Sequence, residues 1–378
     1  MRIIQVNNVR WFNATSWYAL NLSRLLQEAG HEVLVLTLEG TASHSKALDM
    51  GLQVRTMDLN TSNPLRLARV FGQLRRLVHD FRPDIVNCHR GESFLLWGHL
   101  RFWTGGFALV RTRGDQRLPR ASLPNRILHR KVADAVVVTN SAMGRHFRER
   151  LGVPAERLHL VLGGVDTHHF RFDAIERNRI RREYGFADSD FVVGLVGRFD
   201  EVKGQRETIQ AVAELRRQGL DRLKLMLLGF DSVTSEAQVR SWLNESGLDS
   251  HAVITGRRED VPACLSALDG GVVASKWSET IARAALELMA CGRPIVSTSV
   301  GVMPDLVSSH GLVPPGDMQA LATALARLAG DDDYRAGLGE EQRSTVAELT
   351  MERFLEQTLR MYEAARLRAG TESTWTDR

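Results

Sequence analysis

The sequence predicts two successive parallel α/β domains, and three observations carry that reading. Short apolar runs alternate with helical patterns at the spacing of β–α–β units. The alternation fills residues 1–170, pauses over the polar, charge-rich segment 171–190, and restarts at Phe191. A chain of 378 residues with 43% hydrophobic content can supply two cores.

In the first series the predicted strands are Ile3–Val6, Glu32–Leu36, Ile85–Cys88, Ala108–Arg111, Ala135–Val138 and Leu158–Val161. The helices between them include Ala14–Ala29, Pro64–Phe81 and Asn125–Lys131, the first closed by the return Gly30-His-Glu. Gly163-Gly-Val-Asp166 reads as the exit from this domain, and Arg171–Asp190 as a linker. The second series runs Val192–Val196, Lys224–Leu228, Ala252–Thr255, Gly271–Ala274 and Pro294–Thr298. Met351–Arg368 is helical and follows a sheet already complete.

Composition narrows the classes. Cys88, Cys264 and Cys291 show no paired spacing and read as reduced, buried residues of a cytosolic protein. The chain opens directly on a strand, so no signal peptide is expected, and no apolar run reaches the ~20 residues of a membrane span. Charge is uneven: residues 1–170 carry 23 Lys/Arg against 13 Asp/Glu, and the remainder 26 against 32. The window 101–131 is densest, with Arg101, Arg111, Arg113, Arg117, Arg120, Arg126, Arg130 and Lys131 against Asp115 alone. Without an interleaved aromatic platform this window does not read as a nucleic-acid site. An anionic membrane surface or phosphorylated lipid acceptor fits it, as does a plainly solvated face. No Gly-x-Gly-x-x-Gly follows the first strand and no Walker loop occurs, against dehydrogenases and P-loop NTPases. Asp188-Ser-Asp190 reads as a turn, and His168-His169 has no ligand cluster around it, so no metal site is expected.

Two blocks carry chemistry. In Ser275-Lys-Trp-Ser-Glu279-Thr-Ile-Ala-Arg-Ala-Ala-Leu-Glu287 a strand feeds a helix predicted to start near Thr280. Glu279 would then sit beside free backbone N–H groups, with Glu287 two turns on along nearly the same face. N–H groups bind anions and carboxylates accept from hydroxyls, a set that suits a sugar phosphate. An acidic cap on an amphipathic helix fits the pair equally when it is taken alone. The second block is Gly194-Leu-Val-Gly197-Arg198-Phe-Asp-Glu-Val-Lys203-Gly204, which places an Arg fork and a Lys at the carboxyl end of a buried strand.

Together these segments resemble the Glu-x7-Glu and Gly-Arg-x4-Lys-Gly motifs of retaining glycosyltransferases of family 4, with the GT-B fold. The resemblance implies two Rossmann-like domains facing a cleft. Residues 1–170 would form the acceptor domain and 171–350 the nucleotide-sugar donor domain, with 351–378 crossing back onto the first. It implies that Gly197, Arg198 and Lys203 hold the donor diphosphate. Glu279 would face the donor sugar with the N–H groups of Thr280 and Ile281, and Glu287 would take the ribose. Arg258, in Gly256-Arg-Arg-Glu-Asp260, falls at the turn that meets the nucleobase in the family. Thr280-Ile-Ala departs from the usual Glu-Gly-x-Pro loop.

The first domain departs further. The family's Gly-Gly after the first strand is replaced by Arg10–Ser16, where Asn13 could cap the helix or present its N–H groups to phosphate. The family histidine after the fifth strand is missing; Arg113 stands near its place, and His89 is a further candidate to face the cleft. The resemblance implies a hexosyltransferase that keeps the anomeric configuration and needs no cofactor beyond a UDP- or GDP-linked sugar as co-substrate. Its acceptor would be a glycan or lipid-linked saccharide of bacterial envelope polysaccharide or lipopolysaccharide. Its expected location is the cytoplasm, either free or peripheral on the inner face of the cell membrane. A sugar-nucleotide epimerase or hydrolase of the same fold, or a non-catalytic nucleotide- or lipid-binding protein, are the alternatives.

Overall fold

A computed structural model describes residues 1–370. The chain divides into two compact units, Met1–Gly163 with the segment from Glu352 onward, and Gly164–Met351. Each is a parallel sheet between helices.

The first unit holds seven strands: β1 (Arg2–Asn7), β2 (Glu32–Thr37), β3 (Gln53–Thr56), β4 (Ile85–Cys88), β5 (Ala108–Arg113), β6 (Ala135–Val138) and β7 (Leu158–Leu160), in spatial order β3-β2-β1-β4-β5-β6-β7. Strand order reverses direction between β1 and β4, which pair in register from Ile3 on Ile85 to Val6 on Cys88. In the second unit, β8 (Phe191–Val196), β9 (Leu223–Leu228), β10 (Ala252–Ile254), β11 (Gly270–Val273), β12 (Ile295–Thr298) and β13 (Leu312–Val313) take the order β10-β9-β8-β11-β12-β13. Here the reversal lies between β8 and β11. Central strands such as β4, β6 and β11 are buried along their whole length, as a sheet covered on both faces requires.

Strands β3 and β13 escaped the sequence reading. β3 is mostly exposed, so it carries no apolar run, and β13 has only two residues. The supposed linker is a correction. Ala174–Glu183 within it forms a helix of the second unit, capped by Asp173, whose side chain accepts from the N–H groups of Ile175 and Glu176. Its charges made it look like solvent-facing coil. Two of them satisfy core main chain instead: Arg177 donates to the carbonyls of Ser266, Ala267 and Leu268, and Arg181 donates to Ala267 O and Asp269.

The C-terminal helix Met351–Ala369 returns to the first unit. Phe354, Thr358, Met361, Tyr362 and Ala365 are buried along one stripe at helical spacing. Phe354 packs edge-on against Tyr18, and the Tyr362 hydroxyl accepts from both Gln5 Nε2 and Asn87 Nδ2 at 2.9 Å. Residues 371–378 of the expected C-terminal segment lie outside the described residues.

Candidate active site

In parallel sheets a ligand binds beyond the carboxyl ends of the strands, where the strand order reverses. In the second unit that point is flanked by the loops leaving β8 and β11, and the two motif blocks are those loops. After β8, Gly197 adopts φ +147° and Asp200 caps a single 3-10 turn, Glu201–Lys203. That turn aims Lys203 at the neighbouring loop, where its Nζ donates to Glu279 Oε2 at 2.7 Å. Ser275 Oγ donates to the same oxygen at 2.6 Å. Glu279 is thus buried but doubly satisfied, and the two signature groups form one ion pair across the reversal point. Arg198 stands beside them half-exposed, its fork held by Asp200 Oδ2.

Two expectations for this region are corrected. The helix after Glu279 spans Arg283–Ala290 and does not begin near Thr280, because Ala282 takes a left-handed conformation, φ +51°. Glu279, Thr280 and Ile281 therefore lie in a loop. The helix-start N–H groups belong to residues from Arg283 on, and Glu279 does not share the helix face with Glu287. Gly204 has the left-handed φ of +70°, yet what crowds it is the backbone of Ala274, whose oxygen would lie 2.1 Å from an added Cβ. The glycine serves loop-on-loop packing.

Glu287 is buried inside the helix and pairs with Arg283 at 2.8 Å; burial pushes its carboxyl pKa up, against the pull of Arg283. Arg258 engages Asp260 and Glu183 and lies over the Tyr184 ring. Ser275 and Gly301 were missed by sequence reasoning. Gly301, φ +63°, lies so close that an added Cβ would stand 1.8 Å from Glu279 O, and the next residue's N–H bonds that oxygen at 2.8 Å. Nothing in Val300-Gly-Val signals that role; Ser275 was at least visible as the last small residue before the loop. Asp188-Ser-Asp190 is a turn closed by Asp190 on Ala187 N–H. Among the described residues no group of three or more His, Cys, Asp or Glu side chains is placed to hold a metal.

In the first unit the corresponding reversal lies between β1 and β4. Asn13 caps the helix Ala14–Glu28 by accepting from Ser16 N–H at 3.1 Å. His89, just past β4, is buried; its Nε2 meets Gln5 Oε1 at 2.8 Å while Nδ1 has no partner. Burial foremost, then the nearby Arg111 charge, lowers its pKa to about 3. His89 is thus a neutral core histidine at physiological pH. Arg113, near the position of the absent family histidine, is largely buried and pairs with Asp115 at 2.7 Å.

The basic window 101–131 also needs correction, since three of its eight cations are held by internal partners rather than offered to a surface. Arg101 bonds Asp134 and Val132 O, and Arg111 lies in the core donating to Cys88 O and Thr112 O. Arg113 is held by Asp115 and Arg117 O. Main-chain carbonyls, Asp115 within the window and Asp134 outside it do the pairing. Arg117, Arg120, Arg126, Arg130 and Lys131 remain exposed. Around them Leu118, Leu123 and Ile127 are also exposed, the last two in the helix Leu123–Ile127 that runs on as a π-helical turn.

Two family descriptions match the chain, one in each series of strands. Residues 15–169 match Glycosyltransferase Family 4, and residues 190–331 match Glycosyl transferases group 1. The chain is accordingly a glycosyltransferase of the GT-B type. The putative glycosyltransferase EpsD of Bacillus subtilis (strain 168) is 25% identical over 80% of this chain and 82% of its own length. The D-inositol 3-phosphate glycosyltransferase of Salinispora arenicola (strain CNS-205) is 26% identical over 94% of this chain and 88% of its own. In fold, the chain is similar to Anabaena Alr3699/HepE, crystallised with UDP, at a TM-score of 0.83 and 19% identity; the match covers 96% of this chain and 100% of that one. Among the described residues no helix is long and apolar enough to cross a membrane.

Proposed function

We propose that this enzyme is a retaining family 4 glycosyltransferase that moves a hexose from a UDP-linked donor to a glycan or lipid-linked saccharide. The observation that carries the reading is the Lys203–Glu279 pair at the strand reversal of the second unit, with Arg198 half-exposed beside it. When the glycosidic bond breaks, negative charge grows on the diphosphate. A guanidinium fork and an ammonium fixed in place by a carboxylate stabilise that charge without reorganising. Glu279 already accepts from Lys203 and Ser275, which leaves it a poor nucleophile. Retention then proceeds by front-face attack, in which the departing phosphate oxygen takes the acceptor proton. UDP as the nucleotide draws support from the ligand named with HepE.

The exposed cations from Arg117 to Lys131 are assigned to an anionic membrane surface that carries a lipid-linked acceptor. The product's anomeric configuration tests the reading. NMR of the product from a UDP-α-hexose should show the α-linkage, with activity unchanged by a chelator. A β-linked product, or activity lost to the chelator and restored by Mg²⁺ or Mn²⁺, contradicts it.

A further inference from the structure

The first unit contains an open cavity of 960 Å³ that the donor chemistry does not use. It lies beyond the carboxyl ends of β2 and β3, next to the loop that leaves β1, the side of a parallel sheet on which ligands bind. Three arginines line it: Arg10 from the loop after β1, and Arg66 and Arg69 from the first turns of the helix Pro64–Phe81. None of the three is paired with a carboxylate among the described residues. Glu39 and Asp58 line the same cavity, so its charge is mixed with an excess of cations. Trp11 lines it too and is 70% exposed. A tryptophan so open to water on a cavity wall offers an apolar face against which a sugar ring can lie.

The walls are fixed by internal bonds. Ser43 Oγ, in the first turn of the helix Ala42–Asp49, donates to Trp11 O at 2.9 Å. Asn60 Nδ2, after β3, donates to Asn8 O at 3.1 Å, and Asn8 Nδ2 donates back to Asn60 Oδ1. The loop after β1 is therefore tied to both neighbouring loops, and the residues they carry stand in a preset arrangement.

We infer that this cavity binds the acceptor and that the acceptor is an anionic saccharide, its phosphate or carboxylate held by Arg10, Arg66 and Arg69 while a sugar ring rests on Trp11. This rests on the transferase reading above and adds the charge of the acceptor to it. Arginine forks suit planar, bidentate recognition of such oxyanions, and the free carboxylates of Glu39 and Asp58 can accept from sugar hydroxyls.

The test is calorimetry on the full-length protein with UDP at saturation, so that phosphate-bearing probes cannot enter the donor site. Glucose 6-phosphate and glucuronate, titrated separately, distinguish a phosphate from a carboxylate preference, and glucose and inorganic phosphate serve as half-probes. At least one anionic sugar should bind at least about tenfold more tightly than glucose and than phosphate. The Arg66→Ala/Arg69→Ala variant should lose about tenfold or more of that affinity, Arg66→Lys/Arg69→Lys should retain part of it, and Trp11→Ala should weaken the sugar more than inorganic phosphate. An unchanged melting temperature checks that the exposed substitutions leave the fold intact. Glucose binding as well as both anionic sugars, no binding of either, or equal affinity in parent and double alanine variant overturns the proposal. UDP affinity is measured in the same series: its absence in the parent overturns the transferase reading, whereas a failed sugar titration with normal UDP binding overturns only this one.

Discussion

The two sheets end in opposite ways at their points of strand reversal. Beyond β8 and β11, an acid and a base from different loops meet each other, Lys203 and Glu279, and a half-exposed arginine adjoins them. Beyond β1 and β4, the polar groups turn inward. Gln5, Asn87, His89 and Tyr362 form a buried network, and Arg111 donates to carbonyls. Charge is kept reachable in one unit by pairing it with charge, while in the other it is locked into the core and the reachable cations sit further out on Arg10, Arg66 and Arg69. Under the proposed function, the first site meets a fixed diphosphate and gains from a preset ion pair, while the second would vary with the acceptor.

The sharpest way to break this contrast is at Gly301. Gly301→Ala places a Cβ against Glu279 O in a left-handed backbone, so the loop must move. A stability loss of about 3 kcal/mol confined to the second unit is expected, with activity lost; thermal melts and turnover read it, and a parent-like variant would mean that the loop around Glu279 is not held as described.

On the other side, Tyr362→Phe removes the hydroxyl shared by two buried amides. A loss of about 2 kcal/mol is expected from the unpaired donors, visible as a lower denaturant midpoint, with UDP affinity untouched. A change in UDP affinity would show that the two regions are not independent.

Two buried histidines of the first unit also set a pH dependence. His89, lowered to about 3, and His129, lowered to about 4 chiefly by burial, take up protons on unfolding before they do so in the fold. Their contribution to stability is complete above the ordinary histidine value near 6.5 and is lost as pH falls from there toward about 4 for His129 and about 3 for His89. The melting temperature should fall across that window, and less steeply in His129→Gln. Equal slopes would remove His129 from the account.

A further effect, spread over several charges, concerns the exposed cations. Arg117→Ala/Arg120→Ala/Arg126→Ala should weaken binding to anionic vesicles by up to about 1 kcal/mol per charge, with binding falling as salt rises. Arg101, Arg111 and Arg113, being paired internally, contribute nothing to it. Equal vesicle binding by parent and triple variant leaves the surface merely solvated.

The sequence made the second unit's chemistry legible because its residues lie in two short blocks at strand ends. Helix Pro64–Phe81 and strand Ile85–Cys88 were readable to the residue, each having a clear period or apolar run and firm stops. What could not be read depended on contacts remote in sequence. The left-handed turn at Ala282 displaced a helix start that propensity alone would set earlier. The charges of Ala174–Glu183 resembled a linker until their carbonyl partners near Ser266 to Leu268 were known. Arg111 looked like surface charge because the carbonyl it serves, Cys88 O, lies on another strand. Gly301 carries no local signature at all.

Calorimetric titration of UDP into Arg198→Ala and Lys203→Ala tests the central claim most directly, that a charge pair at the second sheet's reversal point holds the donor diphosphate. Each variant should lose on the order of 1.5–3 kcal/mol of binding free energy, as removal of a charge-assisted hydrogen bond does. Affinity equal to the parent in both variants would contradict it.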